Sequence, residues 1–334
     1  MKVLALSFLT LCLLIVSCKK NNSKVGFMCY SNTESFWVNN RKCFVERSKQ
    51  LGIEIIEKYC NYDENLQYTQ AEELINQGVK VIVIVAVNAN TAAAIVRLAN
   101  KNDVKVIAYD RMIHNCDLDY FVTIDSRKIG EVMAAEAIKQ KPKGTYILLW
   151  GDKRDDNADL VKGGILKVLQ PSIDNKNINV LYQNYIEEWS LENAESEVKM
   201  VANLSCREKV DAIVSSYDGM TRGAINALKS QDMLNDVFSC GQNSEIESLK
   251  SILNNEQTIT IYKSHKVTGY ATAELAAKLA TKSNVKLSFD INGTMFNGYK
   301  QVPSILLDPI LVNKSNMETA IFAEGIIDKN ELLK

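Results

Sequence analysis

Proline and histidine are scarce in this chain, with four and two residues among 334. So few prolines exclude a proline-rich linker or stalk and suit compact lobes built from long periodic segments. The two histidines, His114 and His265, lie far apart, and neither falls in a nucleophile–base motif. There is no GxxxxGK[ST] phosphate loop, no GxGxxG following a strand, and no cluster with metal-ligand spacing, so no cofactor or metal is expected. The formal charge of -1 is close to balance and gives no reason to expect nucleic acid as a partner. Beyond the first residues no apolar run is long enough to span a bilayer.

The N-terminus carries a distinct signal. Met1-Lys2 is followed by an apolar run over residues 3–16, too short for a span and suited to the core of an export leader. It ends in Ile15-Val16-Ser17-Cys18, a pattern that resembles a bacterial lipobox, and the polar stretch KKNNSK follows. The reading is a signal peptide over residues 1–17 and a tether over residues 18–23, with an acylated Cys18 holding the exported protein to the membrane face. Cys12 would leave with the leader. Cys29, Cys43, Cys60, Cys116, Cys206 and Cys240 remain without CxxC spacing and read as buried thiols, with one or two disulfides left open.

Strand and helix patterns alternate twice along the rest of the chain. Short apolar runs at residues 25–29, 53–57, 81–87 and 104–109 alternate with helical patterns near 37–51, 65–77 and 91–101. The order repeats with strands at 145–150, 178–182, 210–215 and 237–240 and helices near 157–169, 191–202, 219–229 and 244–253. Gly52 and Gly78 stand just past two helices, where a left-handed residue is wanted. The expected class is α/β, with two doubly wound parallel-sheet lobes in a chain long enough for two domains.

Candidate functional residues follow the strand ends. Asp110 and Arg111 end the run VKVIAYD; Asp155, Asp156 and Asn157 follow another strand, Trp189 a third, then Tyr217-Asp218, Asn243 and Lys263. Open α/β sheets bind ligands in the crevice outside these ends. Carboxylates accept hydrogen bonds, a guanidinium donates several in a fixed fork, and an indole face stacks on the apolar face of a sugar ring. Such a set, drawn from both halves, suits a polyhydroxylated ligand. Catalysis is the rival reading. Asp155 and Asp156 are adjacent and project in different directions, whereas glycoside hydrolysis needs two carboxylates facing each other across about 5–9 Å. The expectation is a binding protein and not an enzyme, with His114 a solvent-facing loop residue.

VIAYDRMI, GDKRDDNADLVKGGILKVLQP, EEWSLENA, TITIYK and YKQVPSILLDPILVNKSN resemble the periplasmic D-xylose-binding proteins of ABC transporters, from about residue 24 to the C-terminus. The resemblance implies a type I periplasmic binding protein fold, two lobes joined by a three-strand hinge that close on a monosaccharide and deliver it to a membrane permease. Carried over residue by residue, the family's sugar contacts fall on Asp110, Arg111, Asp155, Asn157, Trp189 and Lys263. Three further positions depart: Phe36, beside a retained Trp37, stands for a family Arg, Tyr217 for an Asn and Asn243 for an Asp. The implied ligand is D-xylose or a related pentose; a hexose or ribose-like sugar read in chemotaxis is the alternative. The expected lobes are residues 24–123 plus 265–287 and residues 124–258 plus 293–334, with crossings near 123–126, 260–263 and 290–293. The protein is expected to act as a monomer.

Overall fold

The computed structural model describes residues 23–205, 208–281 and 285–333. The expected leader, Cys18 and Cys206 fall outside the described residues. The first α/β run comprises β1 (Lys24–Cys29), α1 (Ser35–Gln50), β2 (Glu54–Tyr59), α2 (Glu64–Asn76), β3 (Val81–Ile84), α3 (Ala93–Lys101), β4 (Lys105–Tyr109) and β5 (Tyr120–Ile124). The second comprises α4 (Ser126–Gln140), β6 (Gly144–Trp150), α5 (Asp156–Asp174), β7 (Ile178–Tyr185), α6 (Leu191–Leu204), β8 (Ala212–Ser215), α7 (Asp218–Lys229), β9 (Phe238–Gln242), α8 (Ile246–Leu253) and β10 (Ile259–Tyr262). The chain then returns through α9 (His265–Thr281), β11 (Gly293–Phe296) and β12 (Gln301–Leu307), and ends through β13 (Ile310–Val312) and α10 (Met317–Ala320).

The two runs form two sheets. The first has seven strands in the order β11-β12-β5-β4-β3-β1-β2, and the second has six in the order β13-β10-β9-β8-β6-β7. Among the described residues only the β11–β12 and β10–β13 pairings are antiparallel. Helices cover both faces of the first sheet, α1 and α9 on one side and α2 and α3 on the other. The residues Val81–Ile84 are therefore buried on both sides of the sheet, which explains a run with no polar alternation. In the second sheet α4 and α5 pack together on one face and α6 and α7 on the other.

Local chemistry sets the helix ends. The side chains of Asp63, Asp125, Asp155 and Ser190 accept from first-turn backbone N–H groups of α2, α4, α5 and α6. Gly52 and Gly78 take φ of 72° and 78° just past α1 and α2, as the sequence pattern predicts. The thiols of Cys29, Cys43, Cys60, Cys116 and Cys240 are buried and free. Among the described residues no helix is long and apolar enough to cross a membrane.

The chain passes between the sheets three times: after β5 at Asp125, after β10 at residues 263–264, and after β12 at residues 308–309. The third crossing differs from the expected position near residues 290–293. Residues 293–307 belong to the first sheet, where β12 runs parallel to β5 and β11 folds back along β12. The break before Gly293 is thus the entry to an edge hairpin. That hairpin covers the free hydrogen-bonding edge β5 would otherwise present. Only β13 and the C-terminal segment join the second sheet's side, packing Val312, Met317 and Ile321 against Leu249, Ile252 and Tyr262.

Candidate functional site

The site begins at the end of β4. Asp110 has φ 64°, and the Arg111 N–H donates to the Tyr109 carbonyl at 2.8 Å, so the chain makes a three-residue turn on leaving the strand. Left-handed geometry at a non-glycine residue is strained and clusters at functional sites. The Asp110 N–H remains in the sheet, donating to Val122 O at 2.9 Å. Asp110 is buried, and its Oδ1 lies 3.7 Å from Lys263 Nζ, which comes from the crossing after β10. Arg111 Nη2 lies 3.7 Å from Asp155 Oδ2, on the second lobe. Burial pushes the Asp155 carboxyl up, against the pull of Arg111.

Both cations rest on aromatic rings. The Arg111 Cζ lies 4.6 Å from the centre of the Tyr30 ring, and Lys263 Nζ lies 4.4 Å from that of Phe36. Phe36 packs edge-on to His265 at 5.2 Å. His265 Nδ1 accepts from Asn40 Nδ2 at 2.8 Å, and Asn40 Oδ1 accepts from the Tyr109 hydroxyl at 2.8 Å. Burial, with Lys263 adding to it, lowers His265 to about 3, so its ring is neutral and acts as a brace at the start of α9.

The second lobe supplies the facing wall. Asp155 caps α5, and Asn157 Nδ2 donates across the cleft to the Asp110 carbonyl at 3.4 Å while its Oδ1 accepts from Ser126 at 3.0 Å. Trp189 ends the short turn Glu187–Trp189 and packs on Gly151, where a Cβ would stand 2.0 Å from the indole. Its ring meets Tyr217 edge-on at 6.3 Å. Asp152 fixes this turn by accepting from Glu188 N at 2.6 Å, and its ion pair with Arg154 holds its carboxyl well below the usual range. The Tyr217 hydroxyl donates to Glu245, which also lies 3.5 Å from Arg222. Asn243 has φ 97°, and its Oδ1 is buried without a partner. Between the lobes runs a cleft of about 980 Å³, lined in part by Arg111, His114, Asp155, Asn157, Trp189 and Phe296.

Asp110, Arg111, Asp155, Asn157, Trp189, Lys263 and Phe36 therefore converge, with Tyr217 behind Trp189. Asn243 joins them through the backbone, its N–H donating to Ile261 of β10 at 3.0 Å. Trp37 does not join them. It is 4% exposed, lies in the core behind the site and donates its indole N–H to the Tyr30 hydroxyl at 2.7 Å. Its place in α1, one residue past Phe36, turns it inward. His114 also departs from the solvent-facing expectation: its Nε2 pairs with Asp156 across the cleft. Tyr30, Glu34 and Glu245 were not anticipated. Tyr30 directly follows β1, so the strand-end rule applied to that strand would have found it.

Residues 25–284 match the family model described as a periplasmic binding protein domain. The chain is 34% identical over 330 residues to the D-xylose-binding periplasmic protein of Escherichia coli K12, covering 97% of this chain and 98% of that protein. It is 34% identical over 296 residues to the D-xylose-binding periplasmic protein of Haemophilus influenzae, covering 89% of this chain and 88% of that one. A carbohydrate transporter solute-binding protein from Chloroflexus aurantiacus, solved with D-glucose, superposes with a TM-score of 0.83 at 23% identity, covering 93% and 98% of the two chains. At that identity the likeness speaks to fold.

The His114–Asp156 contact generates a pH prediction. The hydrogen bond to Asp156 raises His114 above its usual value of 6.5, against the effect of burial, and Asp156 is half exposed. A raised folded value means that the stabilisation is fully present below about pH 6.5 and is lost as pH rises through the folded value. Screening limits it to about 1 kcal/mol or less. Thermal unfolding from about pH 5.5 to about pH 8.5 should show wild type ahead of His114→Gln at the acid end and level with it at the alkaline end. A gap that does not change with pH contradicts the pairing.

Proposed function

The chain belongs to the periplasmic binding proteins, among relatives of the D-xylose-binding kind, and from that premise we propose that it captures a neutral monosaccharide between its lobes and passes it unchanged to the permease of an ABC transporter. The sugar is a pentose, D-xylose or a close relative. The observation that carries this reading is the spacing of the four central charges. Arg111 and Asp155, and likewise Lys263 and Asp110, stand 3.7 Å apart. Each pair is close enough for attraction and too far for a direct hydrogen bond, so donors and acceptors remain free for hydroxyl groups.

Trp189 offers an indole face for the ring, and Asn157 and Asn243 add amide donors and acceptors. The unpartnered Asn243 Oδ1 is an acceptor that a sugar hydroxyl satisfies. Arg111 comes from the first lobe and Asp155, Asn157 and Trp189 from the second, so a sugar touching both favours the closed arrangement by differential affinity. No nucleophile–base pair stands among these groups, and the role is binding without turnover, by a monomer that uses no cofactor. Export and acylation at Cys18 place the protein on the outer face of the membrane, where it meets the permease.

Titration of the exported protein against xylose, arabinose, ribose, glucose and galactose should give reversible binding, tightest for a pentose, with the sugar recovered unchanged by NMR. Arg111→Ala should weaken that binding by about 2–5 kcal/mol, the range for losing one partner of a buried charged pair. An Arg111→Ala protein that binds as wild type contradicts the site. Tight binding of a nucleotide or peptide and of no sugar contradicts the function.

Cys18→Ala should release the protein from the membrane fraction or block its maturation. Labelling of wild type with a radioactive fatty acid checks this directly, and an unlabelled wild type contradicts the anchor.

A further inference from the structure

We infer that Tyr30 is the positioning residue of the site, a ring that fixes the Arg111 guanidinium from one face and leaves its N–H donors pointing into the cleft. The inference rests on the sugar-binding reading above. The Arg111 Cζ lies 4.6 Å from the Tyr30 ring centre, within cation–ring range. Among the described residues, the one carboxylate in ion-pair range of Arg111, Asp155, lies beyond hydrogen-bond distance at 3.7 Å.

The distinction has a chemical consequence. A carboxylate that bound Arg111 in the fork geometry would occupy its in-plane donors, and a ligand would have to displace it. An aromatic ring engages the face of the planar cation instead and leaves those donors unspent. Tyr30 is suited to this because it is buried and packed on several sides. It is 3% exposed, and its hydroxyl accepts from the Trp37 indole at 2.7 Å. Its ring is packed between Trp37, at 5.6 Å and 75°, and Tyr62, at 4.9 Å and 36°. Trp37 in turn packs on Tyr109, the residue before the Asp110 turn. The buttress and the turn that presents Arg111 are thus one packed unit. The Tyr62 hydroxyl donates to Glu34, so the same cluster also sets a carboxylate near the guanidinium.

A purely structural Tyr30 and a positioning Tyr30 respond differently to two substitutions. Tyr30→Phe keeps the ring and removes the acceptor of the Trp37 N–H. Tyr30→Leu removes the ring itself. Sugar titration should find Tyr30→Phe within about twofold of wild type, despite a lower melting temperature, and Tyr30→Leu weaker by about tenfold. In the sugar-free protein the Arg111 side-chain protons should show upfield ring-current shifts that persist in Tyr30→Phe and vanish in Tyr30→Leu. Equal affinities for the Phe and Leu variants, or unshifted Arg111 protons in wild type, overturn the inference. A wild type that binds no sugar but shows shifted Arg111 protons overturns the functional reading and leaves the placement of Arg111 standing.

Discussion

Two partly buried cations, each seated on an aromatic ring and each held 3.7 Å from a carboxylate, are the constraint on which the site depends. Charges taken out of water are costly unless something compensates them. A tight ion pair would offset part of that cost but occupy the donors and acceptors a ligand needs. The rings of Tyr30 and Phe36 supply part of the compensation through their faces, and the nearby carboxylates supply part through the field. The hydrogen-bonding capacity left over is what a polyhydroxylated ligand can use. Phe36 suits this arrangement, because its ring lies against Lys263 where a cation would repel it.

The scaffold keeps these groups in place from both sides of the cleft. Asp110 spends a strained φ to turn the chain, and the Asn40–His265–Tyr109 network ties α1 and α9 to the strand that presents it. On the second lobe, Asp218 is fully buried at the start of α7 and accepts from Thr260, Gln257 and the Ser244 N–H. Burial raises its carboxyl to about 7 even with these donors. It links the Tyr217 turn, the Asn243 loop and the β10 strand that leads to Lys263. Candidate contact residues on separate loops are thereby coupled through one buried acceptor.

Much of this was legible in the sequence, for a local reason. Apolar runs closed by Asp-Arg or Asp-Asp-Asn announce a strand end, and the doubly wound fold gathers strand ends into one crevice. That is why Asp110, Arg111, Asp155, Asn157, Trp189 and Lys263 were recoverable. The misses are contacts that no local pattern records. Trp37 reads as a sugar contact beside Phe36, but helical geometry turns it into the core. The β11–β12 hairpin reads as the second lobe because its partner, β5, lies some 180 residues earlier. His114 meets Asp156 only because two lobes approach, and the value of Tyr30 depends on Arg111 lying over its ring.

The most direct measurement is a crystal structure of the protein with D-xylose. The account predicts one sugar in the interlobe cleft, with hydroxyl oxygens within hydrogen-bond distance of Arg111 and Asp155 and of Lys263 and Asp110, and with Arg111 still over Tyr30. A sugar seated away from these residues, or both ion pairs drawn into direct contact with no hydroxyl between them, would contradict it.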